Sequence, residues 1–274
     1  MLETEKRNPA TTHIDQADTA TMLRLMQDAN RRSVDAVGEA LDAVGKAVAA
    51  AAEALSKGGR ILYVGAGTSG RLAVQDAAEC PPTFGVDYDT VVAVMAGGEK
   101  AVFRAMENVE DSSEAGRRDL AAKNLTKGDF VVGISASGNA RYVEAALVCA
   151  HEVGCRTAAI SSNRECRLAD VADIFIFTDT GPEVITGSTR LKAGNAQKMV
   201  LNMISTCAMV KTGKVCENLM VNLRPTNQKL RKRMIGIVRD LAGVGEEAAL
   251  AALESHGFVI RDAVSALREG DGKQ

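Results

Sequence analysis

The sequence predicts an open α/β fold: a five-stranded parallel sheet flanked by helices, with N-terminal helices before it and a small C-terminal helical appendage after it. Three observations predict it. Five short blocks (Arg60–Val64, Val91–Met95, Phe130–Ser135, Thr157–Ser161 and Ile174–Thr178) are continuously apolar rather than alternating, as strands buried on both faces are. Helix-like segments separate most of them, and alternating β and α elements build a parallel sheet. A glycine-rich loop follows the first block directly, where ligands bind beyond the carboxyl end of a strand.

Taken in order, the first 20 or so residues are polar and irregular. From Thr21 to Lys57 the pattern is helical, with Met22, Leu23, Leu25 and Met26, then Val34, Val37, Leu41, Val44 and Val48, at helical spacing. Gly58-Gly59 ends it, as glycine ends many helices. Between the strands, helices are expected over Ser69–Ala78, Ala101–Asn108, Glu114–Lys123 and Ala140–Val153. The link from Ser161 to Ile174 allows a helix of one or two turns. Asn195–Val210 reads as an apolar helix packed on the sheet, and Thr226–Leu241 as a helix that carries RKR at 231–233. The segment EEAALAALESHGFVIRDAVSAL reads as two short amphipathic helices broken near Gly257, and the final REGDGKQ as frayed. The expected divisions are an N-terminal region 1–57, a ligand-binding domain 58–216 and a C-terminal helical region 217–274.

Composition excludes several classes. The 274 residues suit one or two domains with a substantial core. A net charge of −2 offers no basic surface for nucleic acid. No apolar run approaches the ~18–20 residues that span a bilayer. The start, MLETEKRNPATTH, has no apolar segment of the kind a secretory signal needs, so a cytoplasmic protein is expected. Six cysteines without C-x-x-C agree with a reducing compartment. His13, His151 and His256 stand at no metal-ligand spacing, so no metal is expected.

The chemistry concentrates in two loops. GAGTSGR (65–71) fits G-x-G-x-x-G, the dinucleotide fingerprint. Its glycines turn the backbone and expose N–H groups at a helix start, an anion site whatever the anion. A nicotinamide reading also needs an acidic residue ending the second strand. That strand runs VVAVMAGGEK, with Glu99 only beyond two glycines, so no nicotinamide cofactor is expected. Thr68 and Ser69 add hydroxyls beside Gly67. The third strand ends in SASGNA (135–140), where Ser135, Ser137 and Gly138 form a second hydroxyl-rich loop. Alone, it reads equally as a turn with an N-cap serine. Paired, the loops can surround one phosphate.

Strand–GTSGR with strand–SASG resembles the sugar isomerase (SIS) domain. Within it the chain is similar to the N-acetylmuramic acid 6-phosphate etherase family. The motifs are TEKRNP (4–9), GAGTSGRL (65–72), AAECPPTFG (77–85), AGGEKA (96–101), ENVEDS (107–112), GISASG (133–138), GPEVITGSTRLKAG (181–194), AQKMVLNMIS (196–205) and ENLMVNL (217–223). The resemblance implies a SIS-type sheet, a phosphorylated amino-sugar substrate, no cofactor and a homodimer. It implies loss of D-lactate by elimination, then addition of water. Glu79 matches the family's proton donor and Glu110 its second active-site acid. Phosphate would lie on Gly67, Thr68, Ser69, Ser135, Ser137 and Gly138. Cys80-Pro81-Pro82 is expected to stop the helix at Glu79, and a carboxyl among apolar neighbours would be partly desolvated.

Other readings stay open. Glu183, Ser188, Arg190 and Lys192 are candidates for sugar or lactate contacts, Arg190 for its planar fork, or their segment braces a dimer. Arg71 supports the first loop or is an exposed helix arginine. TEKRNP folds over a neighbouring subunit's site or is a disordered tail. Two other functions share the pattern: a sugar-phosphate-binding regulator without turnover, such as glucokinase regulatory protein, and an aldose–ketose sugar-phosphate isomerase. The tail beyond about residue 243 has no counterpart in the resemblance.

Overall fold

The five apolar blocks form one parallel sheet in the computed structural model, which describes residues 2–223, 225 and 227–271. The strands are β1 (Ile61–Gly65), β2 (Val91–Met95), β3 (Phe130–Ile134), β4 (Arg156–Ser161) and β5 (Ile174–Phe177), in the order β2-β1-β3-β4-β5. Helices α1 (Thr19–Glu39) and α2 (Leu41–Ser56) precede the sheet. Helices α3 (Gly67–Phe84), α4 (Gly98–Phe103), α5 (Ser113–Ala121), α6 (Arg141–Val153) and α7 (Arg167–Val171) alternate with the strands, and α8 (Lys192–Lys211) follows them. The chain divides into two compact units, Met1–Ala78 with Asp89–Ala208, and Glu79–Tyr88 with Met209–Gln274. Among the described residues no helix is long and apolar enough to cross a membrane.

In the first unit the period-two geometry of a strand sorts the core. Leu62, Val64, Val131 and Ala159 pack with Leu120 of α5 and with Tyr142, Val143, Ala146 and Leu147 of α6. The alternate residues Ile61, Tyr63, Phe130 and Val132 are equally buried, and α2 packs against β1, β3 and β5. Each large apolar side chain so buried contributes about 1.5–3 kcal/mol. Register then fixes the site: Gly65 pairs with Ile134, so β1 and β3 end level and their loops leave side by side.

Four local readings are corrected. The proline pair does not stop α3 at Glu79; the helix runs to Phe84. Proline costs a helix most in its interior, and Pro81 and Pro82 fall in the last turn. The Gly85 N–H closes that turn on the Pro81 carbonyl at 2.9 Å. The helix expected over Ala101–Asn108 starts earlier and ends at Phe103, because Arg71 takes the Ala101 and Val102 carbonyls at 2.8 and 2.9 Å and Arg104 is extended. Arg71 is thus a clamp on α4. The N-terminal segment is irregular, as expected, but it is not a loose tail. Asn163 receives the Glu3 N–H at 2.7 Å and donates to Thr4 Oγ1 at 3.1 Å, Asn8 donates to the Pro182 carbonyl, and Thr11 donates to the Val184 carbonyl at 2.8 Å.

The fourth correction lies in the second unit. A hairpin pairs β6 (Val215–Cys216) with β7 (Leu219–Met220), and helices α9 (Gln228–Ala242), α10 (Glu246–Ser255) and α11 (Ile260–Asp271) follow. They share a core of Met234, Ile237, Val238, Leu253, Ile260 and Ala263. Asn227 caps α9 by accepting the Leu230 N–H at 2.9 Å; Thr226, the expected start, lies outside the described residues. Residues expected to fray continue α11 to Asp271, where Arg268 Nε donates to the Leu241 carbonyl at 3.2 Å. Residues 272–274 lie outside the description.

Candidate active site

The strand order reverses direction between β1 and β3, and ligands bind outside the strand ends at such a switch point. A cavity of about 500 Å³ opens there, in the first unit. The β1–α3 loop with the start of α3 forms one wall and the β3–α6 loop the other. Glu110 and Glu5 add carboxyls. No lysine or arginine is among the described lining residues, so an anion here is attracted only by neutral donors and a helix dipole, on walls that also carry the carboxyls of Glu5, Glu110 and Asp111.

Those donors come from the two loops. Gly67 begins α3 at φ +54°, a conformation glycine adopts without strain. The first-turn N–H groups of a helix have no partner within it, which makes the start of α3 an anion site. Thr68 and Ser69 lie in this turn and line the cavity. Ser69 is nearly buried, and its hydroxyl donates to Gln197 Oε1 at 2.9 Å. Across the cavity, Ser135 Oγ accepts the Gly138 N–H at 3.1 Å and Ser137 Oγ accepts the Asn139 N–H at 3.2 Å. The two hydroxyls are 3.3 Å apart. With a backbone N–H on each oxygen, and one hydroxyl able to donate to the other, the pair has a proton to give. Gly138 holds φ +72°, and a Cβ there would lie 2.3 Å from Cys166 Sγ, so the loop admits no larger residue.

The other candidates separate. Glu110 stands on a single 3₁₀ turn, Val109–Asp111, entered through Asn108 at φ +61°, and is exposed on the cavity wall. Glu79 is exposed on α3, without the partial burial expected of it; it belongs to the second unit and is not among the lining residues. Glu183 is wholly buried, and its two oxygens accept the Lys192 and Ala193 N–H groups, each at 3.0 Å. It therefore caps α8 and reaches a ligand only through that helix. Arg190 is exposed on the turn before α8. Lys192 is buried; desolvation holds its ammonium below the usual lysine range, against the opposing charge of Glu183. Two site residues carried no signal of their own. Glu5 is placed by the docked N-terminal segment and Gln197 by α8. Both lie inside quoted motifs, TEKRNP and AQKMVLNMIS.

The arrangement can hold a phosphate on hydroxyls and N–H groups with a carboxyl nearby for proton transfer. The chain is similar to several known proteins. The family model of the glucokinase regulatory protein N-terminal SIS domain matches residues 43–151. The chain is 47% identical over 270 residues to N-acetylmuramic acid 6-phosphate etherase 1 of Bacillus licheniformis, covering 98% of this chain and 89% of that one. It is 49% identical over 269 residues to N-acetylmuramic acid 6-phosphate etherase of Yersinia pestis, covering 98% and 91%. In fold it is similar to the phosphoheptose isomerase of Neisseria gonorrhoeae, with a TM-score of 0.52 and 20% identity, covering 68% of this chain and 97% of that one. The phosphoheptose isomerase of Francisella tularensis gives 0.52 and 18%, covering 74% and 100%.

Proposed function

The chain belongs to the N-acetylmuramic acid 6-phosphate etherase family, and from that premise we propose how its residues perform the reaction. The enzyme removes D-lactate from carbon 3 of N-acetylmuramic acid 6-phosphate and leaves N-acetylglucosamine 6-phosphate, a step of peptidoglycan recycling. The 6-phosphate sits between the two loops. It accepts hydrogen bonds from Ser69, Ser135, Ser137 and Thr68, and from the backbone N–H at Gly67, while Gly138 shapes the second loop by donating its own N–H to Ser135 Oγ. Glu110 takes the proton from carbon 2, which the open-chain aldehyde at carbon 1 acidifies. Glu79, assigned on its match to the family's proton donor and not on the cavity lining, protonates the ether oxygen as the bond from carbon 3 breaks and lactate departs. Water then adds at carbon 3 of the resulting double bond, and carbon 2 regains a proton. A positioned acid or base contributes about 10²–10⁴-fold to such steps. Arg190 pairs with the lactyl carboxylate, its planar fork matching two oxygens.

The observation that carries this reading is the shared wall: Glu110 lines the same cavity as both serine loops. The protein acts in the cytoplasm as a homodimer. One stripe of α8 is internal, with Ala196, Val200, Leu201 and Ile204 buried. Another leaves Met199 and Met203 partly exposed and Cys207 exposed, and this second stripe is the proposed dimer face. Incubation with N-acetylmuramic acid 6-phosphate tests the activity: D-lactate and N-acetylglucosamine 6-phosphate are expected in equal amounts. Binding without lactate release would favour the second reading, a sugar-phosphate regulator like the one whose SIS domain model matches residues 43–151.

A further inference from the structure

Ser69 differs from the serines across the cavity. Its hydroxyl donates to Gln197 Oε1 at 2.9 Å, so its oxygen turns lone pairs toward the ligand space. A phosphate oxygen is itself an acceptor and is repelled there. Gln197 shows the complementary fault. It is 1% exposed, and its Nε2 has no hydrogen-bond partner among the described residues. A buried amide N–H without an acceptor is rarer and costlier than a buried carbonyl left partly unsatisfied. One rotation gives the nitrogen an acceptor and leaves the carbonyl oxygen, the less costly group to leave unpaired, in its place. Turning the glutamine amide by half a revolution about its last torsion exchanges its nitrogen and oxygen nearly in place. Nε2 then donates to Ser69 Oγ, and the Ser69 proton points into the cavity.

We propose that Gln197 is a positioning residue that sets the hydrogen-bond direction of Ser69. With its amide nitrogen toward Ser69, it leaves the Ser69 oxygen as acceptor of the amide and the Ser69 proton for the phosphate. The proposal rests on the reading of the cavity as the phosphate cradle. The local structure supplies the needed rigidity. Glu183 pins the first turn of α8 through the Lys192 and Ala193 N–H groups, and Gln197 follows within the next turn. Ser69 is fixed in the first turn of α3. Glutamine alone among side chains of this length and shape carries both a donor and an acceptor at its tip.

The test uses the full-length protein, N-acetylmuramic acid 6-phosphate and four variants. Gln197→Glu has the same shape and, assayed at alkaline pH where its carboxyl is ionised, only accepts, so it keeps the Ser69 proton from the ligand; KM is expected to rise by about tenfold or more there, with kcat at saturation changing less than about threefold. Gln197→Met fills the volume without a strong acceptor and frees the hydroxyl, so KM should stay within about threefold. In the Ser69→Ala background, Gln197→Glu should add little, because the interaction it perturbs is gone. Equal effects of Glu and Met would overturn the proposal. So would a Gln197→Glu effect that persists undiminished with Ser69→Ala, since that marks plain charge repulsion. Ser69→Ala with unchanged KM would overturn the cradle reading as well. A raised KM in Ser69→Ala with no effect of either Gln197 variant would overturn this proposal alone. Should the Glu variant fail to fold, the native protein supplies the readout. The side-chain amide signals of ¹⁵N-labelled Gln197 should shift when inorganic phosphate binds, and should not shift in Ser69→Ala.

Discussion

Ser135 and Ser137 each hold a backbone N–H on the hydroxyl oxygen, and one of the two hydroxyls can donate to the other, which leaves the pair a proton for the proposed phosphate. Removing either hydroxyl should weaken substrate binding by about 1–3 kcal/mol, a hydrogen bond to a charged oxygen. Calorimetry with N-acetylglucosamine 6-phosphate would measure this for Ser135→Ala and Ser137→Ala. Unchanged affinity in both would move the phosphate elsewhere. Residues of this kind were legible because their chemistry is local: Gly67 to Ser69 and Ser135 to Gly138 are contiguous, and each loop follows its strand. Glu183, Arg71 and Gln197 were not. Arg71 acts on carbonyls 30 and 31 positions away, and Ser69 meets Gln197 across 128. No spacing rule spans such gaps. Glu183 has its partners only nine and ten positions ahead, but a loop had to fold back before its carboxylate could meet a helix start.

Helices carry the next scale of consequence. The Glu183 carboxylate is the cap of α8, and two charge-assisted bonds are lost in Glu183→Ala. Stability should fall by about 1.5–3 kcal/mol in urea unfolding, and Glu183→Gln should recover part of it by keeping one acceptor. On α3, Asp76 is held by the Ser205 hydroxyl at 3.1 Å. Burial pushes its carboxyl up to about 6, against the lowering effects of Ser205, Tyr63 and Lys198. The folded state therefore keeps this proton more firmly than the unfolded chain. The contribution to stability is full below about pH 4 and is lost as pH rises through about 6, by up to about 3 kcal/mol. Asp76→Asn does not titrate, so it should be more stable than the native protein at pH 7 and no more stable at pH 3.5. A variant advantage that does not change with pH would contradict the assignment. The elements themselves were legible from periodicity, whereas their ends were not. Pro81 and Pro82 are tolerated because they fall in a last turn, and α4 ends where Arg71 takes its carbonyls; both depend on the completed fold.

For the whole molecule, the strand order β2-β1-β3-β4-β5 is what makes a site of two ordinary loops. Alternation of apolar blocks and helices announced a parallel sheet, but order within the sheet is a long-range property that no window of sequence contains. The docked N-terminal segment is the same case, since its anchors are Asn163, Pro182 and Val184. The proposed homodimer is checked by sedimentation at assay concentrations; a fully active monomer would remove it. Proton transfer at carbon 2 lies at the centre of the proposed mechanism, and deuterium exchange reads it directly. N-acetylmuramic acid 6-phosphate is incubated in deuterated water with Glu79→Gln and with Glu110→Gln, and carbon 2 is followed by NMR. Glu79→Gln should release no lactate yet slowly gain deuterium at carbon 2, because the base remains. Glu110→Gln should gain none. Exchange retained in Glu110→Gln and lost in Glu79→Gln would reverse the two roles, and normal turnover by both variants would place the chemistry outside this pair of glutamates.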